Sequence, residues 1–114
     1  MINENMKKVL VALRSGEYTQ ARGQLQDQKG HCCLGVMCEV YEKKTGDKLL
    51  RNPHGRLMGN NLGDHQDAWQ WLGLRSPQGH NEEGISLISM NDFNKKTFME
   101  IADYIETDPE GLFV

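Results

Sequence analysis

Residues 30–40 read GHCCLGVMCEV, and this stretch decides how the rest of the chain is assembled. It gathers all three cysteines into seven positions beside His31. Leu34, Met37, Cys38 and Tyr41 fall at helical spacing. The helix they predict ends at KKTG, with lysines in its last turn and Gly46 beyond them. Gly35 leaves room for another element to approach the first turn. Three chemistries compete for the segment. A zinc site would join His31 to the thiolates of Cys32, Cys33 and Cys38. Adjacent cysteines on an extended segment point to opposite faces, however, and no second pair completes a tetrahedral set. His54, His65 and His80 lie in unrelated loops. A thiol enzyme would use Cys33 or Cys32 as nucleophile, with His31 as its base and the helix start lowering the thiol pKa. It would also need an orienting acid and an oxyanion site, and neither is marked. Core packing is the third reading, and the helical stripe favours it: buried cysteine behaves as a small hydrophobe.

The 114 residues suit one domain, 1–114, with a single core. No apolar run approaches the ~20 residues of a membrane span. The opening MINENMKKVLVAL is amphipathic rather than signal-like. An odd cysteine count argues against a disulfide framework, so a reducing cytosolic setting is expected. The net charge of −3 hides an asymmetry. Residues 1–58 hold 10 Lys/Arg against 6 Asp/Glu, while residues 59–114 hold 3 against 10. A duplex-DNA binder would show a stronger basic excess. A basic concavity in the first half would still suit a small anion.

Periodicity places the elements. Met6, Val9, Leu10 and Leu13 predict a first helix, capped by Asn3 and followed by Gly16. From Tyr18 the pattern alternates, with Tyr18, Gln20, Arg22, Gln24 and Gln26 on one face and Thr19, Ala21, Gly23 and Leu25 on the other. That predicts a strand, returning through DQKG to His31–Cys33 as a hairpin. KLLRNPHGRLM reads as two short strands around a tight turn. GDHQDAWQWLGL predicts a third helix, with Asp64 as cap and Ala68, Trp69 and Leu72 inward. ISLISMN reads as a last strand. Thr97 and Glu100 have capping-box spacing ahead of Phe98, Ile101, Ala102 and Ile105, the closing helix. The expected fold class is α+β: one compact domain with about four helices packed on a small antiparallel sheet built from hairpins.

On that fold, Gln20, Arg22 and Gln24 would form a hydrogen-bonding wall, with Arg22 able to grip phosphate or carboxylate bidentately. Arg51, His54 and Arg56 would add charge around NPHG, so Arg56 joins the candidate ligand set. Asn91 and Asp92 follow the last apolar segment, where polar side chains often line a crevice. A partly exposed Trp71 could stack on a base or a partner. No phosphate loop, H-E-x-x-H motif, nucleophile elbow or paired carboxylates stand out. No cofactor and no metal is implied.

The strings LRSGEYTQARGQL, CCLGVMCEVYE, WLGL and LISMNDFNKKTFMEIADYIE, in this order, resemble a family of small accessory proteins encoded by bacteriophages and prophages. The likeness runs from about Val11 to Glu106 and carries over no catalytic residues. It implies an accessory gene acting in the host cytoplasm. Such proteins commonly block host defences, so the expected function is non-enzymatic counter-defence. The partner would be a sequestered nucleotide-like anion or an occluded host defence protein, and a homo-oligomer is compatible with either. The competing expectation is the thiol enzyme of Cys33 or Cys32 with His31.

Overall fold

Helix α2, Cys33–Thr45, is buried along both of its faces at its N-terminal end, from Cys33 through Cys38. A helical segment that is apolar all round belongs at the centre of a fold, and three other helices pack against this one. The computed structural model describes residues 2–114. Helix α1, Glu4–Arg14, presents Met6, Val9, Leu10 and Leu13 to the interior and packs on α2 and on the closing helix. Asn3 caps α1 by accepting from the Met6 N–H at 2.8 Å. A 3₁₀ turn at Leu62–Asp64 leads into α3, Gln66–Trp71. Helix α4 spans Leu87–Asp92, and α5 spans Phe98–Glu106 with the capping box of Thr97 and Glu100 formed in both directions. None of these helices is long and apolar enough to cross a membrane.

The sheet expected from the alternating segments is absent: among the described residues there are only isolated bridges, and the fold is mostly helical. The expected α+β class is therefore corrected, and each misread segment has a physical reason. In residues 18–31, the buried residues are Ala21 and Leu25, four apart rather than two. Gly23 turns the chain at φ 95° between them. The result is a loop wrapped on its own end. The Ala21 N–H donates to the His31 carbonyl at 2.7 Å, and the Cys32 N–H to the Leu25 carbonyl at 3.1 Å. Gly35 is the residue that lets this loop reach α2, because a Cβ there would collide with the Leu25 carbonyl oxygen. Around NPHG, a single bridge pairs Arg51 with Leu57 where two strands were expected.

ISLISMN is not a strand but the start of α4. The Ser86 side chain accepts from the Ser89 N–H at 3.1 Å, and Leu87, Met90 and Asn91 are buried at helical spacing. Seven residues are too few for their apolar pattern to separate the two periods. Asp64 does not cap α3; it ends the 3₁₀ turn, and His65 occupies the cap position.

Candidate functional site

The N-terminal end of α2 shows what the cysteine cluster does. Cys32 sits at the cap position, Cys33 opens the helix, and all three thiols are free and buried. Burial pushes the Cys32 thiol up to about 12, and carries Cys33 and Cys38 well above the ordinary thiol range. The helix start cannot offset so large a desolvation cost. His31 faces away from sulfur: its Nε2 lies 2.7 Å from Glu39 Oε2. Among the described residues, no group of three or more His, Cys, Asp or Glu side chains is placed to hold a metal ion.

Of the predicted ligand residues, the structure brings Gln20, Asn91 and Asp92 together, but as a structural junction. Asn91 is fully buried. Its Oδ1 accepts from Gln20 Nε2 at 2.8 Å and from the Cys33 N–H at 3.1 Å. Its Nδ2 donates to the Ala21 carbonyl at 2.9 Å and to Asp92 Oδ1 at 2.8 Å. Gln20 also donates to the Lys96 carbonyl at 2.8 Å. Asn91 thus caps α2 from another helix, in the place where Cys32 supplies no side-chain cap. Its hydrogen-bonding capacity is fully engaged, leaving nothing for a ligand. Arg22 and Gln24 are exposed, and among the described residues no hydrogen bond or ion pair joins them to each other or to Arg56. Gln24 lines a shallow depression with Asn52, Leu57 and Met58. The Arg56 backbone N–H donates to Asn52 Oδ1 at 3.1 Å, and its side chain makes no hydrogen bond among the described residues.

Arg51 belongs to a charge network that the sequence reading missed. Its Nη2 contacts Glu39 Oε1 at 2.9 Å and Glu42 Oε1 at 2.6 Å, while Nη1 donates to the Gly55 carbonyl at 2.8 Å. Glu42 Oε2 in turn accepts from the Leu49 N–H at 2.7 Å. The hydrogen bond from His31 holds the Glu39 carboxyl below the usual carboxylate range, with Arg51 adding to the effect. Burial alone would lower the Arg51 value, but Glu42 and Glu39 outweigh it. The available signal was E39-x-x-E42, two carboxylates on one helical face.

A second group of charges lies further along α2, beside apolar surface. Lys8, Val11 and Ala12 share one face of α1, with Ser15 at its C-cap, and Val40, Lys43 and Lys44 share one face of α2. With Glu17 and Tyr18 they line a cleft of about 210 Å³. Its wall is apolar, with Val11 72% exposed, and its rim is cationic. Lys43 lies 3.0 Å from Glu17 and 5.4 Å from the centre of the Tyr18 ring. Tyr18 and then Glu17 raise its pKa. Lys8 sits 6.0 Å from the centre of the Trp71 ring, and Lys44 has no partner among the described residues. The signal for this site was an exposed valine beside lysine on the outer face of α1, which composition alone does not single out.

The chain belongs to DUF8296, a domain family of unknown function whose model matches residues 1–109. No curated protein and no solved structure matches it.

Proposed function

We propose that this chain is a non-enzymatic binding protein that takes a small anionic ligand, bearing an apolar or aromatic part, into the cleft between α1 and α2. The observation that carries the reading is the cleft's composition: three lysines rim an apolar wall that contains a single carboxylate. That carboxylate, Glu17, is already paired with Lys43, so the remaining lysine charge is open to a ligand. Nothing comparable supports catalysis, since the thiols are buried and His31 is turned toward Glu39. This is the ligand form of the counter-defence role that the resemblance to phage accessory proteins implies, acting as a sponge in the host cytoplasm. The anion site moves from the Arg22 wall to the lysine cleft, because Gln20 and Asn91 are engaged in holding the fold.

The test is calorimetric titration of ATP into the wild type and into a Lys8→Glu/Lys44→Glu double variant, with circular dichroism as the folding control. Saturable binding that weakens with salt, and about tenfold or more in the variant, is expected. Equal binding by a folded variant, or no saturable binding by the wild type, would remove the proposal.

A further inference from the structure

The lysine cleft has a neighbour. A second groove, of about 280 Å³, is lined by Thr19, Gln26, Asp27, Lys29 and His31, and it shares Glu17 and Tyr18 with the first. Tyr18 is the ridge between them. The Lys43 ammonium lies 5.4 Å from the centre of its ring, and the His31 imidazole stands edge-on at the same 5.4 Å separation. His31 is held in place from behind: Nε2 is bound to Glu39, and Glu39 to Arg51. Glu39 Oε2 engages Nε2 at 2.7 Å, which leaves Nδ1 as the ring nitrogen available to a ligand. No group among the described residues hydrogen-bonds to Nδ1, since the His31 ring is held through Nε2 alone. The two acids in the paired grooves are already engaged. Glu17 is bound to Lys43, and Asp27 accepts from the Lys29 and Gly30 N–H groups at 2.7 and 3.0 Å.

From this juxtaposition we infer that the two grooves form one site for a nucleoside phosphate. Its phosphate lies among the lysines, its sugar crosses Tyr18, and the polar edge of its base hydrogen-bonds with His31 Nδ1. The inference rests on the cleft reading above and deepens it, because it makes His31 the residue that discriminates bases. An anion with no ring would use only the lysine side. A nucleotide would use both.

The experiment titrates adenosine 5′-monophosphate and ribose 5-phosphate into the wild type and into His31→Phe. A measurement on the wild type alone, the ¹⁵N resonance of His31 Nδ1, guards against a variant that does not fold. The expected result is that AMP binds at least about tenfold more tightly than ribose 5-phosphate, that His31→Phe removes this advantage, and that AMP alone moves the Nδ1 resonance. Equal affinity for the two ligands with an unmoved resonance would overturn the inference and leave the lysine cleft standing. Binding of neither ligand would overturn both.

Discussion

The two ends of α2 treat polar groups in opposite ways. At the N-terminal end, Asn91 answers the Cys33 N–H, the Ala21 carbonyl, Gln20 and Asp92 at once, with no exposed surface. Toward the C-terminal end, Val40, Lys43 and Lys44 face an open cleft in which Lys44 has no partner among the described residues. Both regions hold the residue types that suggest a ligand site. The difference lies in what is left over once the protein's own groups are counted. A buried amide with all its bonds made fixes geometry, whereas an exposed cation beside apolar surface is open to something else. The candidate site is therefore the less ordered-looking end in sequence, and the conspicuous CCLGV segment is the scaffold.

Four substitutions break or sharpen this contrast. The largest effect is expected at the scaffold's tightest point. Helix propensity alone would make Gly35→Ala stabilising by about 1 kcal/mol. The collision of its Cβ with the Leu25 backbone reverses the sign, and urea denaturation is expected to show a loss above about 4 kcal/mol. A gain would mean the 18–31 loop is not seated on α2 as described. Asn91→Leu comes next, because it leaves the Cys33 N–H and the Ala21 carbonyl buried without partners. A loss of about 3 kcal/mol is expected, together with faster alkylation of the cysteines as the open state becomes more populated. Unchanged stability would make Asn91 a ligand residue after all.

Glu39→Gln tests the charge network and has a pH signature. The Glu39 carboxyl titrates below its ordinary value of 4.5, so its contribution is present above that value and is lost as pH falls through the lowered one. The variant is expected to be about 1 kcal/mol less stable than the wild type at pH 7, with the gap closing below about pH 4.5 in urea melts. A gap that widens on acidification would reverse the assigned direction. The smallest effect belongs to Arg14→Ala. Arg14 bridges Asp103 at 2.8 Å and Glu106 at 2.9 Å on the surface between α1 and α5. Exposed pairs of this kind contribute within about 1 kcal/mol, and a thermal melt should shift little. A large shift would mean that these acids of α5 carry more of the fold than surface pairing allows.

Much of the helical frame is legible in the sequence. Asn3, Gly46 and the Thr97–Glu100 box are local devices, read within three or four residues of the helix they end, and each stands where its spacing puts it. The sheet was misread because alternation of polar and apolar residues in 18–26 is a weak signal, and here tertiary hydrogen bonds to His31 and Leu25 determine the chain's path instead. The role of Asn91 was hidden for the same reason: its partners lie 58 to 71 positions away, except for Asp92. Arg51 was visible as a cation, but Glu39 and Glu42, which neutralise it, had been read only as part of a helix. The lysine cleft required two outer helix faces to be brought side by side, and no spacing within one helix encodes that.

The central claim is that α2 carries structure at one end and binding at the other. It is tested most directly by following backbone amide resonances while AMP is titrated into the ¹⁵N-labelled protein. The account predicts that shifts concentrate at Lys8–Ser15, Glu17–Thr19, His31 and Val40–Lys44, while Gln20, Cys33, Asn91 and Asp92 stay in place. Shifts centred on Asn91 and Gln20, with the lysine cleft unmoved, would contradict it.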